Sequence, residues 1–352
     1  MCRDRARPPR RPGHPRGRVA VAAALALAAL PALAVAQSPS ILRPASPNAE
    51  ALADLYNIVF FIAVAVFLLV EGLIIYAAVA FRRREGDPEP VQVHGNTSIE
   101  IAWTIAPAVI VVVLTALSFQ RLQETYQAPE DALAIDVIGH QWWWEFRYRE
   151  PAVATATELV VPVGRPVRLF LESTDVLHSF WAPQLAGKVD AVPGARDAGF
   201  GQNSLWFVAA AAGRYEGQCA EFCGEQHAGM RLTVIALAPA DYEDWLVGQA
   251  APAAEPAFGT AAEHGRALVG TKGCQACHTI EGVEAMTGKV GPNLTHVASR
   301  AMLAGGMFPN DAEHLRRWID EPTDLKPGTT MPGLELTPDE IADIVSYLQT
   351  LE

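Results

Sequence analysis

Residues 217–230 read GQCAEFCGEQHAGM. Two cysteines lie four positions apart, a histidine follows four later, and a methionine three after that, with Glu221 and Glu225 between them. A disulfide between Cys219 and Cys223 is the plain alternative, but it leaves His227 and Met230 unexplained. One zinc ion accepts thiolate and imidazole, whereas a thioether suits it poorly; soft sulfur with imidazole is the preference of copper. A mononuclear blue-copper site needs only one thiolate. Two thiolates can instead bridge two copper ions, with one imidazole and one weaker ligand for each. Such a site needs a second histidine from another strand, and His178 in STDVLHSFW (173–181) is the candidate.

The surrounding sequence supplies strands. ALAIDVIGHQWWWEFRY (132–148), ELVVPVGRPVRLFLEST (158–174) and RLTVIALAP (231–239) alternate, are rich in β-formers and are separated by Gly and Pro. Together they predict a compact all-β sandwich or barrel over residues 131–237. PADYEDWLVGQ (239–249) reads as a short helix and AAPAAEPAFG (250–259) as Ala/Pro coil, so residues 238–257 form a linker. A flexible chain of roughly 20 residues spans about 25 Å root-mean-square. It would hold the next domain at an effective concentration on the order of millimolar without a strong interface.

Beyond the linker, TAAEHGRALVG (260–270), DAEHLRRWID (311–320) and TPDEIADIVSYLQTLE (337–352) have helical spacing, with Thr337 as N-cap and Glu340 at the capping-box distance. Residues 258–352 thus read as a small all-α domain. Within it CQACH (274–278) is C-x-x-C-H, the c-type haem attachment signature. Cys274 and Cys277 would bond the porphyrin and His278 would be an axial ligand. A thioredoxin-like CxxC needs a βαβ pattern that does not surround this one. A structural zinc site would want two more ligands nearby.

Upstream, an arginine-rich start, a run of small apolar residues and AVA at 34–36 read as a signal peptide over 1–36, with cleavage before Gln37. Residues 37–125 then hold two apolar runs, at about 55–81 and 101–120, each long enough to cross a bilayer as a helix. Arg82, Arg83 and Arg84 lie between them, which places that loop in the cytoplasm and everything after Gln120 outside. Glu71, inside the first run, is a costly charge in lipid and is expected to face a partner subunit or be protonated.

Composition agrees. The chain has 352 residues, enough for two or three domains, and half of it is apolar. The net charge of −12 speaks against nucleic acid as a partner and favours a basic protein. Of the five cysteines, Cys2 belongs to the signal peptide, and the other four form the two pairs already named.

From Ala51 to about Gln249 the sequence resembles subunit II of haem-copper cytochrome c oxidases, because CAEFCGEQHAGM matches that family's C-x-E-x-C-x-x-x-H-x-x-M motif in full. The resemblance implies a two-helix transmembrane hairpin, an all-β cupredoxin-like Greek-key barrel and a binuclear copper centre of the CuA type. In that centre Cys219 and Cys223 bridge the coppers, His178 and His227 each bind one, and Met230 and the Glu221 carbonyl complete the set. The Glu221 carboxylate would bind magnesium at the interface with subunit I. GHQWWWEFRY (139–148) resembles the family's aromatic patch, in which Trp142 is where electrons enter and Trp143 takes a place often held by tyrosine. HGNTSIEIAWTIAP (94–107) resembles the start of the second membrane helix. There Glu100 corresponds to an acid near a proton-uptake channel, although a plain helix-end cap explains it nearly as well.

The tail resembles class I cytochrome c: GPNL (291–294) and GTTMPG (328–333) match that family, making Met331 the second axial ligand of a covalent haem c, with Met286, Met302 and Met307 as packing rivals. Met opposite His raises a haem potential. The whole chain is therefore similar to the fused subunit II of a caa-type oxidase. The implied function is electron transfer from a soluble donor such as a cytochrome c, through haem and copper, to subunit I, where oxygen is reduced to water and protons are pumped. Partners would be the other oxidase subunits and membrane lipid, at a bacterial-type inner membrane with both cofactor domains on the periplasmic side. A quinol oxidase subunit II would lack the copper ligands, and a nitrous oxide reductase would add a large catalytic domain to the copper motif. A copper-delivery protein or thiol oxidoreductase would lack the aromatic patch and the haem.

Overall fold

A computed structural model describes residues 39–195 and 202–352; the expected signal peptide lies outside them. The two apolar runs form helices α1, Pro47–Ala80, and α2, Thr97–Tyr126, which pack against each other. Their 34 and 30 residues measure about 51 and 45 Å, longer than a hydrocarbon core of about 30 Å. Phe61, Leu68, Ile75 and Val112 are exposed, as befits surfaces that face lipid. Both helices begin on side-chain caps. The Ser46 hydroxyl accepts from Ala49 N–H at 3.0 Å and donates to the Leu185 carbonyl, fastening the N-terminal end of α1 to the next domain. Asn96 accepts from Ile99 N–H at 3.3 Å, while Glu100 accepts from Asn96 N–H at 3.2 Å, so Glu100 does cap this helix.

Ten strands follow: β1 Leu133–His140, β2 Trp143–Tyr148, β3 Val153–Ala156, β4 Glu158–Pro162, β5 Val167–Ser173, β6 His178–Trp181, β7 Val189–Ala191, β8 Asn203–Phe207, β9 Gly213–Cys219 and β10 Arg231–Leu237. They form two five-stranded sheets, ordered β3-β2-β1-β5-β8 and β4-β10-β9-β6-β7. β1 runs parallel to β5 and β4 parallel to β10, and the other pairs are antiparallel. The chain therefore crosses between the sheets, as the expected cupredoxin-like arrangement requires. Alternation drives the packing. Val167, Leu169 and Leu171 of β5 point inward and meet Trp144, Phe146, Phe180 and Phe207 in one core. The same alternation on β9 turns Tyr215, Gly217 and finally Cys219 inward. Helix α3, Pro239–Gln249, closes the barrel by adding Tyr242 and Leu246 to its core.

The C-terminal domain is built from α4 Ala261–Val269, α5 Ala312–Asp320, the single turn α6 Pro322–Leu325 and α7 Pro338–Leu348, with the short pair β11 Met302–Leu303 and β12 Phe308–Pro309. α4 and α7 cross and bury Leu268, Val269, Ile344 and Tyr347. The capping box expected at Thr337 and Glu340 is formed.

The loose tether expected between the domains is not what the structure holds. α3 is packed on the barrel, and the Ala/Pro stretch is fixed to the C-terminal domain: Ala253 N–H donates to Glu281 O at 2.9 Å, Arg266 bonds Glu255 at 2.8 Å, and the His296 ring lies 2.9 Å from the Ala251 carbonyl. Alanine and proline alone carry no sign of this, because each anchor is supplied by a residue distant in sequence.

Candidate metal centres

The loop between β9 and β10 carries most of the soft donors to the end of one sheet, and β6 delivers His178 beside it through the pairing of Phe180 with Cys219. His178, fully buried, has its Nδ1 at 3.9 Å from Cys219 Sγ. Cys219 Sγ and Cys223 Sγ are 3.8 Å apart and unbonded. His227 Nδ1 stands 3.6 Å and Met230 Sδ 3.9 Å from Cys223 Sγ, and the Glu221 carbonyl oxygen 3.2 Å from Cys219 Sγ. Donors held at about 2.3 Å around a tetrahedral ion are separated by about 3.8 Å. All six expected copper ligands are thus brought together at ligand spacing, and the donor set fits soft metal ions. Among the described residues, the Glu221 carboxylate joins no cluster of three metal-binding side chains.

The electrostatics match. The adjacent Cys223 thiol is the main reason the Cys219 pKa falls, with His178 and backbone groups adding to it against the effect of burial; the same pairing, with burial, pushes Cys223 up. Binding a metal ion would release the protons these thiols carry. Burial by itself would lower His178, but the Asp175 carboxylate and Cys219 more than offset it, and its pKa rises. Asp175 takes His178 Nε2 at 2.8 Å, which leaves Nδ1 facing the sulfurs. Gln141 and Val176 N–H both donate to Asp175 at 2.6 Å, fixing it in turn. Gly139 on β1 makes room for the imidazole: a Cβ there would lie 2.6 Å from a ring carbon of His178. Sequence reasoning missed Asp175 and Gly139. The D-x-x-H spacing could have pointed to the first, but only the sheet register reveals the second.

The C-terminal domain surrounds a cavity. Its wall includes Cys274, Cys277, His278 and Met331, the four residues expected at a covalent haem, together with Pro292 and Arg300. His278 Nδ1 is bound to the Pro292 carbonyl at 2.8 Å, which turns the other ring nitrogen free for a metal. Burial, aided by Arg300, lowers the His278 pKa and favours the neutral imidazole a metal requires. Gly291 lies against this ring, where a Cβ would approach Cε1 to 2.6 Å. These residues fit a haem. Of the rival methionines, Met286 is in the hydrophobic core and Met307 faces Gly229 of the barrel loop, whereas Met302 also lines the cavity.

One wall of this cavity comes from the barrel. Gln141, Trp142 and Trp143 line it. Trp142 is 8 % exposed and its indole N–H donates to the Cys223 carbonyl at 2.9 Å. Trp143 stacks on His140 with ring centroids 4.1 Å apart.

Comparison with known proteins gives three matches along the chain. Residues 37–121 match the family described as cytochrome C oxidase subunit II, transmembrane domain; residues 149–237 match its periplasmic domain; residues 262–352 match cytochrome c. Cytochrome c oxidase subunit 2 of Alkalihalophilus pseudofirmus is 34% identical over 319 residues, covering 88% of this chain and 90% of that one. The Bacillus subtilis protein of the same name is 31% identical, covering 89% and 92%. Among solved structures, the periplasmic domain of subunit II of cytochrome oxidase from Bradyrhizobium japonicum is 29% identical, covers 35% of this chain and 96% of that one, and superposes with a TM-score of 0.32.

Proposed function

The chain belongs to the cytochrome c oxidase subunit II family and carries a C-terminal cytochrome c domain, and from that premise we propose that it accepts electrons from a soluble donor at a covalent haem c and passes them through a binuclear CuA centre to subunit I. Its relatives are components of an oxidoreductase complex, so it works beside other oxidase subunits. Oxygen reduction and proton pumping belong to the complex, with the oxygen chemistry in subunit I. The membrane hairpin would sit in a bacterial inner membrane with Arg82–Arg84 in the cytoplasm and both cofactor domains outside.

The two domains imply copper and haem c, and when bound each would take up and release single electrons. The chain's own residues set where that happens. Cys274 and Cys277 would attach the porphyrin, and His278 and Met331 would bind its iron. Cys219, Cys223, His178, His227, Met230 and the Glu221 carbonyl would hold the copper pair, and the Glu221 side chain would be a ligand for magnesium at the subunit I interface. The β-barrel fixes the copper donors and so limits their movement on redox change.

The observation that carries this reading is Trp142. One side of it lines the haem cavity, and its N–H is bonded to the backbone of a bridging cysteine, so a single residue connects the two donor sets. Stopped-flow reduction of the purified complex, with haem and copper followed at separate wavelengths, tests it. Haem should be reduced first, and Trp142→Phe should slow copper reduction without altering either spectrum. Copper reduced ahead of haem in the unmodified complex would overturn the relay.

A further inference from the structure

The C-terminal domain meets the barrel through backbone contacts that a mobile tethered cytochrome would not make. Arg231 N–H of β10 donates to Gly305 O at 2.9 Å, and Ala301 N–H donates to both carboxylate oxygens of Glu158 at 3.2 Å. Gln226 of the copper loop donates to Pro327 O at 3.0 Å. Two glycines allow close approach to Trp142. A Cβ at Gly305 would stand 2.4 Å from the Trp142 carbonyl oxygen, and one at Gly328, whose φ is +78°, would stand 3.2 Å from the Trp142 ring. At the centre is Lys326, 3 % exposed, whose Nζ donates to the Trp142 and Ala304 carbonyls, both at 2.7 Å.

A lysine is rarely buried so deeply without a carboxylate partner. Here the two acceptors are one carbonyl from each domain, buried at Trp142 and half-buried at Ala304, so withdrawing the side chain would leave both without this partner at once. Burial takes the Lys326 pKa down to about 7, and both the ammonium and the amine carry the two N–H groups that these bonds require.

We propose that Lys326 is a positioning residue that locks the C-terminal domain onto the face of the barrel carrying Trp142, so that electrons cross a fixed contact rather than a diffusional encounter between tethered domains. The proposal rests on the electron path given above and adds to it the group that sets the geometry. Lys326 lines the edge of the cavity, but its hydrogen bonds go to the Trp142 and Ala304 carbonyls and to none of the candidate ligands, so it acts through the carbonyl of Trp142.

The test compares the purified oxidase complex with its Lys326→Met and Gly305→Ala variants. Methionine keeps the length of the side chain and removes its donors; alanine forces the Gly305 backbone away from Trp142. Two readouts are taken: hydrogen exchange of the Arg231 amide, which reports the contact without any electron transfer, and the rate of haem-to-copper transfer. Each variant should speed the exchange and slow the transfer by about tenfold or more, because only the docked fraction transfers, with haem and copper spectra unchanged. In the unmodified complex the transfer rate should not vary with solvent viscosity, a measurement that needs no variant to fold. Unchanged exchange and transfer in both variants, or a viscosity-dependent rate in the unmodified complex, would overturn the proposal while leaving the electron path intact. An unmodified complex with no haem-to-copper transfer at all would overturn the path and the proposal together.

Discussion

The copper loop and the haem cavity solve the same problem in opposite ways. Around the copper loop the donors are gathered by the fold itself. His178 and Cys219 lie on paired strands, Asp175 orients the imidazole, and Cys219 N–H is bonded to the Met230 carbonyl at 2.9 Å. The core beneath them contains Trp144, Phe146, Phe180 and Phe207. Around the cavity the donors come from a single 3-10 turn, Cys274–Ala276, from His278 just after it, and from a loop that carries Met331. The core of that domain contains no buried Trp or Phe among the described residues, and its centre is the cavity. The barrel is a framework into which metal is placed; the C-terminal domain is a shell that its cofactor completes.

The largest effect that would break this contrast is loss of the haem. In the chain with Cys274→Ala and Cys277→Ala, or made without haem, amide exchange from residue 261 onward should reach the unprotected rate, because the apolar cavity wall would be opened to water. Removing copper with a chelator should leave exchange in β1, β5, β9 and β10 within a few-fold of its starting value. A metal-free barrel that unfolds as readily as a haem-free tail would abolish the distinction.

Met331 comes next. Met331→Ala should leave the haem attached, because the attachment proposed at Cys274 and Cys277 is covalent and does not involve this side chain. It should also weaken the sulfur-to-iron charge-transfer band and lower the potential by on the order of 0.1 V, within the roughly 0.8 V that axial ligands command. Met302 also lines the cavity and supplies the control. A band lost in Met302→Ala and kept in Met331→Ala would move the ligand.

A smaller effect is expected from Asp175→Ala, which leaves all copper donors in place and frees only the His178 ring. Copper affinity should fall by about ten- to a hundredfold, with the barrel still folded. Affinity unchanged in this variant would mean that sheet packing alone orients the imidazole.

Much of this could be read directly from the sequence, and the parts that could not share a cause. The membrane helices announce themselves as long apolar runs, the strands as alternation, and the capping box as T-x-x-E. The candidate ligands are legible because Cys219, Cys223, His227 and Met230 fall within twelve consecutive residues, as Cys274, Cys277 and His278 fall within five. His178, across the sheet, is legible as a candidate only because the motif calls for a second imidazole. Asp175, Gly139, Gly305 and Lys326 acquire their roles from neighbours far away in the chain. TDLKPGT (323–329) looks like an ordinary charged loop until the fold sets it against Trp142. The Ala/Pro stretch misled for the same reason: low sequence complexity describes the freedom of an isolated segment, not the partners that remove it.

The smallest effect concerns how the shell is closed at its surface. Helix α7 starts on a capping box, and Glu340 accepts from Thr337 N–H at 2.9 Å while pairing with Lys272, beyond α4, at 2.6 Å. The Lys272 bond, followed by the Thr337 backbone, holds the Glu340 pKa down to about 2 from 4.5. A carboxylate with a depressed folded pKa contributes its stability fully above 4.5 and loses it as pH falls towards 2. Exchange protection of α7 should therefore decline across that window in the unmodified chain, and less steeply in Glu340→Gln. The difference should be small and should shrink in high salt, because the pair is exposed and screened. An acid response of α7 that is identical in Glu340→Gln would show that the cap does not contribute to keeping this helix on the shell.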